Sequence, residues 1–370
     1  MRGPVHTSKL LADRASAVAY PTGEIAISGC EECGLLTNTT FDAPHHDYTA
    51  SYEEVQAFSP RFVAYATDLA ERLTERHGLR GGHVFEIGCG QTDFLRILCD
   101  VAGATAEAVD PSWRPSDLPQ EWRGRISVER SFFDRAAIGT RPDLVVCRHT
   151  LEHVHDVRWF LGELREALAP WPETPVVFEI PETARILRAV AFWDVYYEHC
   201  SYFTPGSLAR AFRHAGFRPT ALELGFDDQY ALVTAVAGEG DKPLALEEPA
   251  SAMDREASLF AGKLDEQRAY WVERLGSLHA AGKTSAIWGA GSKGVGFLAA
   301  LGLGPEVACA VDLNPSKHGM YLPGTGHEIV PPERLLELRP DVVVVMNPAY
   351  LAEISANVAE LGLDADVVAL

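Results

Sequence analysis

The chain has 370 residues, more than one ordinary domain holds, so two or three domains are expected. Its 47% hydrophobic and 23% charged residues are the composition of a soluble globular protein, and a formal net charge of −20 works against binding a phosphate backbone, which relies on Lys and Arg. No apolar run approaches the ~18 to 20 residues of a membrane helix, the N-terminal stretch lacks the apolar core of a signal peptide, and seven scattered cysteines suit a reducing cytoplasm, so nucleic acid and membrane are set aside as partners.

Residues 1–60 are irregular, rich in Thr, His and Tyr, and carry one Cys-x-x-Cys at Cys30 and Cys33; they read as a small lobe. From 61 to 240, helical and strand patterns alternate: a helix over Phe62 to His77, then strands near Val84, Ala106, Ile126, Leu144, Val176 and Tyr230. That alternation predicts an α/β fold, a doubly wound and mainly parallel sheet with helices on both faces. Residues 241–282 begin with acidic, Pro-rich DKPLALEEPAS. A linker helix over Ala252 to Ala281 follows, with Leu259, Phe260, Leu264, Tyr270, Trp271, Leu275 and Leu278 at helical spacing. In 283–370 the strand-turn-helix pattern starts afresh with SAIWGAGSKGVGFLAAL, a second, smaller nucleotide-fold-like unit.

The segment HVFEIGCGQTD, His83 to Asp93, runs an apolar strand through Glu86 into Gly88 and Gly90 and then a helix. Such a turn brings backbone N–H groups to a ligand with no Cβ in the way. Asp110, about twenty positions on, is placed to accept hydrogen bonds from ribose hydroxyls. A dinucleotide loop requires a third glycine where Asp93 stands, and a carboxylate there repels a pyrophosphate. S-Adenosylmethionine has no phosphate, and its sulfonium and ammonium charges suit Glu86, Asp93 and Asp110; it is the expected cofactor.

Farther on, DLVVCRHTLEHVHD is a buried strand that ends at Arg148 and opens into His149, Thr150 and Leu151. HTLEH matches a zinc-hydrolase string, but those ligands sit inside a helix. A strand's carboxyl end is instead where open α/β sheets bind ligands, so Arg148, His149 and Leu151 are read as cofactor contacts. Residues 192–208, FWDVYYEHCSYFTPGSL, crowd Tyr196, Tyr197, Glu198 and His199 between a strand and a helix begun by Thr204-Pro205. His199 is suited to accept a proton, the other reading being a hydrogen-bonded histidine in an aromatic core. The C-terminal Gly289-Ala290-Gly291-Ser292-Lys293-Gly294, with Asp312 about twenty residues beyond, would by itself suggest NAD. The unit lacks the second half of a dinucleotide fold, so the loop is expected to be structural or to touch substrate, with Lys293 supplying charge. An NAD-dependent oxidoreductase is the alternative.

EIGCG resembles the first motif of the class I methyltransferases, AVDPS with Asp110 and Pro111 their second, and HTLEHV the motif after their fourth strand. YYEHCSYF resembles the Y-H-E-H-x-S-Y-F signature of the sugar C-methyltransferases that act on nucleotide-linked keto-deoxysugars in antibiotic pathways. The resemblance extends over nearly the whole chain, through WGAGSKG, VDLNPSKHG and LPGTGHEIVPPE. It implies a class I Rossmann-like methyltransferase domain, a smaller Rossmann-like C-terminal domain, and a sugar or natural-product acceptor. It places the catalytic base on His199, its accompanying groups on Glu198 and Tyr196, and an N-terminal tyrosine on Tyr52 or Tyr48. Glu198 would orient the imidazole and Tyr196 would stabilise the enolate oxygen. Two features depart from the family. One Cys-x-x-Cys stands where two zinc knuckles are usual, leaving His45 and His46 to complete a site, so no metal is expected. Phe226-Asp227-Asp228-Gln229-Tyr230 stands in place of an H-G-G-S-like stretch. O-Methylation and a non-catalytic ligand-binding protein remain as further alternatives.

Overall fold

The computed structural model describes residues 1–42, 55 and 57–370. Tyr48, Tyr52, His45 and His46 lie outside the described residues.

The N-terminal lobe consists of short pieces: β1 (Arg2–Pro4), α1 (Arg14–Val18), β2 (Thr22–Glu24), β3 (Ile27–Gly29) and β4 (Leu36–Asn38). Helix α2 (Pro60–His77) then begins where Ser59 accepts from the Phe62 N–H with Pro60 in the first turn, and stops at Gly78, which has φ 63°. It is followed by β5 (His83–Ile87), α3 (Asp93–Ala102), β6 (Thr105–Val109), β7 (Ile126–Glu129), β8 (Leu144–Arg148), α4 (Val157–Ala167) and β9 (Val176–Pro181). Next come α5 (Thr183–Arg188), β10 (Ser201–Tyr202), α6 (Pro205–His214), β11 (Phe217–Gly225) and β12 (Tyr230–Ala237).

Seven of these strands form one sheet in the order β11-β12-β9-β8-β5-β6-β7. From β9 to β7 the strands are parallel, and β12 runs antiparallel to both its neighbours. Alternate residues serve opposite faces, as the two-residue period of a strand requires. Val84, Leu144 and Val146 pack with Leu69, Leu73 and Leu98 of α2 and α3, while Phe85, Val145 and Cys147 pack with Leu161, Leu164 and Phe212 of α4 and α6. A sheet covered on both faces is the reason its strands read as near-continuous apolar runs. The half-exposed edge strand β11 gave no such run and escaped the sequence reading.

Helix α7 (Ala252–Ala280) leads to β13 (Ser285–Trp288), α8 (Ser292–Leu301), β14 (Ala310–Val311), β15 (Ile329–Val330), α9 (Leu335–Leu338), β16 (Val342–Val345), α10 (Leu351–Glu360) and β17 (Asp366–Ala369). Its strands form a parallel sheet in the order β15-β14-β13-β16-β17. The N-terminal lobe is tied to both halves. β4 pairs antiparallel with β10, immediately after His199, and Val5, Ile25 and Leu36 share a core with Phe192, Trp193, Trp271 and Phe297. On α7, Trp271 and Leu275 are buried in that core, whereas Leu259 and Tyr270 of the expected apolar stripe face solvent. No helix among the described residues is long and apolar enough to cross a membrane.

Trp271 meets Phe297 edge to face at 5.4 Å, the joint between α7 and α8. Trp271→Ala is expected to cost about 3–5 kcal/mol, as large-to-small changes of buried aromatics do. Urea unfolding followed by circular dichroism measures this, and a loss of less than ~1 kcal/mol would mean that the joint lies elsewhere.

Candidate active site

At the end of β5, Gly88 and Gly90 take left-handed backbone conformations, with φ 74° and 50°. A Cβ on Gly88 would stand 2.0 Å from Thr150 Oγ1, so only glycine lets the two turns meet. Asp110, at the end of β6, accepts from the Gly90 N–H at 2.8 Å through one oxygen, and from the Ser112 N–H at 2.7 Å and hydroxyl at 2.6 Å through the other. Pro111 lines the cleft beside it. Asp93, at the start of α3, lines the same cleft and accepts from Arg96. Glu86 is buried, and its Oε2 has no hydrogen-bond partner among the described residues. Burial pushes its carboxyl up to about 8, with Asp110 and Asp93 adding to the rise against Arg148. A buried carboxyl oxygen without a donor, beside a loop open to close approach, fits a ligand that carries an ammonium group, as S-adenosylmethionine does.

The carboxyl edge of β8 is held by ion pairs. Arg148 and Glu179 are register partners on adjacent strands, joined from Nε at 3.1 Å and Nη2 at 2.6 Å. His149 Nε2 is 2.9 Å from the same Glu179 oxygen, and Tyr65 donates to the other at 2.6 Å. Burial opposes the Glu179 charge, yet Arg148 and His149 hold its carboxyl down at about 2. Burial likewise opposes the imidazolium of His149, and Glu152 and Glu179 still raise it to about 9. Arg148 and His149 do line the cleft, but their charges are committed to Glu179. Leu151 does not line it: its side chain is fully buried in the core under β8, because the short helical turn after Thr150 rotates it inward. Thr150 borders the cleft instead.

His199 lies across the cavity, 8% exposed, with its ring edge-on to Tyr196 at 4.8 Å and to His153 at 4.7 Å. Burial pushes its imidazole down to about 4, against the carboxylates of Glu152 and Asp194. Glu152, His153 and His199 bring one carboxylate and two imidazoles within 4.8 Å of one another, and Glu152 Oε2 has no hydrogen-bond partner among the described residues. Glu198 is arranged otherwise than expected. Its carboxylate accepts from the Thr7 N–H at 2.8 Å and from the Thr7 hydroxyl, since a buried carboxylate needs donors and the N-terminal lobe supplies them. The carboxylate near the imidazole is therefore Glu152. Tyr196 also departs from its expected role as a donor to substrate: its hydroxyl donates to Asp194 Oδ1 at 3.0 Å. Cys30 and Cys33 gather no third metal ligand among the described residues.

These groups enclose one cavity of about 920 Å³, closed on its far side by Gly289, Gly291, Ser292, Lys293, Asp312 and Lys317 of the C-terminal domain. Asp312 accepts from the Ala290 N–H at 3.0 Å and Lys317 at 3.2 Å through one oxygen, and from the Asn314 N–H at 2.9 Å through the other. Lys293 reaches Asp194, which Arg185 also grips at 2.8 Å. The sequence reading missed Tyr65, Glu179 and Asp194. The signal for Glu179 was present in VVFEI, because a charge inside an apolar strand needs a buried partner.

Comparison with known proteins assigns residues 56–222 to a methyltransferase domain and residues 242–364 to a C-methyltransferase C-terminal domain. The C-methyltransferase NovU of Streptomyces niveus is 27% identical over 368 residues, which cover 95% of this chain and 86% of the relative. Among solved structures, the Burkholderia thailandensis 1,6-didemethyltoxoflavin-N1-methyltransferase with bound S-adenosylhomocysteine matches with TM-score 0.38 and 18% identity over 49% of this chain and 82% of its own. The N,N-8-amino-8-demethyl-D-riboflavin dimethyltransferase RosA of Streptomyces davawensis matches with TM-score 0.39 and 20% identity, over 48% and 55% respectively.

Two measurements check this site. A carboxyl near 8 is mostly protonated at pH 7, so an ammonium docked against Glu86 should release a proton. S-Adenosylhomocysteine titrated at pH 7 in buffers of different ionisation enthalpy is expected to show that release, and Asp110→Ala to weaken binding about 10- to 100-fold. Glu179→Gln strands Arg148 and is expected to cost ~3–5 kcal/mol. Because the Glu179 carboxyl is lowered from 4.5 to about 2, its contribution is complete above the first value and lost as pH falls through the second. Unfolding at pH 7 and at low pH should therefore show the two proteins converging in acid.

Proposed function

We propose that the chain, which matches a methyltransferase domain followed by a C-methyltransferase C-terminal domain, is an S-adenosylmethionine-dependent methyltransferase that methylates carbon in a nucleotide-linked keto-sugar or a related small natural-product intermediate, with His199 as general base. The observation that carries this reading is a buried imidazole, His199, in the same cavity as the Gly88–Gly90 loop. A volume of about 920 Å³ suits cofactor and acceptor together. The YYEHCSYF signature supports the sugar, and the C-terminal domain match favours carbon over a hydroxyl acceptor. Its cysteine usage supports a cytoplasmic protein.

When bound, the cofactor supplies an electrophilic methyl group on a positively charged sulfur. Glu86, Gly88, Gly90, Asp93, Asp110 and Pro111 form the wall that would hold it. His199 takes a proton from the carbon beside the acceptor's carbonyl, and the freed electron pair moves onto the carbonyl oxygen. That pair then forms the new carbon–methyl bond as the sulfur departs. Glu152 stabilises the imidazolium that results, as its charge already favours the protonated ring. Holding base, acceptor and donor in one water-poor cleft makes the step effectively unimolecular.

His199→Ala is expected to abolish methyl transfer to a nucleotide-linked keto-deoxysugar while leaving S-adenosylhomocysteine affinity within a factor of about two. The groups that face the ring are Glu152, His153, Tyr196, Tyr202 and, through their charges, His149, Asp194 and Lys293. Because the imidazole sits down at about 4, its neutral form is lost only as pH falls through that value, and kcat/KM should stay level to roughly pH 5. A full-rate alanine variant would remove His199 as the base, whereas an acid limb near pH 6.5 would mean that its imidazole keeps the ordinary histidine range in the working complex.

A further inference from the structure

Proton abstraction from carbon by a base as weak as the buried His199 requires that the charge arriving on the acceptor's oxygen be met at once. The group expected to meet it, the Tyr196 hydroxyl, has one proton and gives it to Asp194 Oδ1 at 3.0 Å. The same carboxylate oxygen receives Lys293, and the other receives Arg185 at 2.8 Å. One carboxylate thus serves two cations in this wall. Asp194 is 5% exposed and lies beside Tyr196, so these charges sit next to the base. Lys293 borders the cavity that His199 borders, its side chain is 22% exposed, and its charge is felt at the His199 ring. An ammonium has three N–H donors, and Asp194 occupies one.

The glycine loop delivers Lys293 to this place. A Cβ on Gly296 would stand 2.9 Å from the main-chain oxygen of Trp193, and one on Gly294 would stand 2.4 Å from that of Gly289. These glycines let α8 press against both its own strand and the Phe192–Asp194 turn, which sets the second residue of the helix against Asp194. The spacing that resembles a dinucleotide loop thus serves close packing beside the catalytic segment.

We propose that Lys293 is a catalytic residue contributed by the C-terminal domain, donating a hydrogen bond to the acceptor's carbonyl oxygen as it becomes an enolate. The inference rests on the His199 reading above. The carbon–hydrogen bond breaks, the proton goes to His199, the electron pair goes to the oxygen that Lys293 holds, and the pair returns to carbon when the methyl bond forms and the sulfur–methyl bond breaks. Lys293 keeps its own protons throughout.

Enolate formation can be read without methyl transfer. Full-length protein is incubated in D₂O with S-adenosylhomocysteine and, as probe, a nucleoside-diphosphate-linked 4-keto-6-deoxyhexose, and deuterium at the carbons beside the carbonyl is followed by mass spectrometry. Lys293→Gln keeps a donor for Asp194 and removes the charge; it is expected to slow exchange about 100-fold or more, with S-adenosylhomocysteine affinity and melting temperature retained. Lys293→Arg should recover part of the rate. Lys293→Met serves in the same way should the glutamine variant be unstable. Exchange at the wild-type rate in the folded, cofactor-binding variants overturns the inference alone. Wild-type exchange in His199→Ala overturns the base assignment instead, and no exchange by the wild-type protein overturns both.

Discussion

The buried carboxylate of Glu179 is the anchor on which the glycine-loop side of the cleft is built. It takes Arg148 from the end of the neighbouring strand, His149 next to it and Tyr65 from α2, so two separate stretches of chain converge on this side chain of a third. His149 carries a positive φ of 49°, a conformation costly for any residue with a Cβ, and the ion pair holds it there. That turn aims Thr150 at Gly88 and sends the chain on to Glu152 and His153 beside His199. A pair sealed from water adds little net stability, but it fixes one geometry, because each charge is costly if left alone.

The opposite wall is built by a second carboxylate with the same logic. Asp194 gathers Arg185 from the methyltransferase domain and Lys293 from the C-terminal domain, and it orients the Tyr196 phenol. Burial works against its charge, yet the two cations hold Asp194 down at about 2, so its carboxylate stays ionised at any ordinary pH. The N-terminal lobe closes the third side: β4 adds to β10, Thr7 binds Glu198, and Ser8 stands 3.1 Å from Ser292. No single domain forms the cavity. The wall around Asp194 belongs to the assembly of all three parts, and the C-terminal unit contributes Lys293 to it.

Much of the molecule was legible from local pattern. Apolar runs near Val84, Leu144 and Val176 became buried parallel strands, because a strand covered on both faces tolerates few polar residues. Thr204-Pro205 became the start of α6 with a reciprocal cap to Ser207, a signal contained within four residues. Gly88, Gly90 and Asp110 came together because their spacing belongs to one strand-turn-helix-strand unit. The roles given to Leu151, Glu198 and Tyr196 shifted for a common reason. Which way each side chain points was decided by the packed structure: Thr7, 191 residues away, takes Glu198, the turn after Thr150 buries Leu151, and Asp194 takes the Tyr196 hydroxyl once Lys293 and Arg185 have fixed its place.

By itself, the sequence determined the α/β class, the two glycine loops, and the set of acidic, imidazole and phenol groups from which a methyl-transfer site can be made. Each of these is written in periodicity or in spacings of about twenty residues or fewer, within which the chain has little freedom. Tertiary structure alone decided how those groups are paired: that Arg148 neutralises Glu179, 31 residues on, that Thr7 binds Glu198, and that Lys293, 99 residues beyond Asp194, enters the same cleft. Those pairings follow from burial, since a charge removed from water must find its partner wherever the fold brings one, and no local pattern encodes that distance.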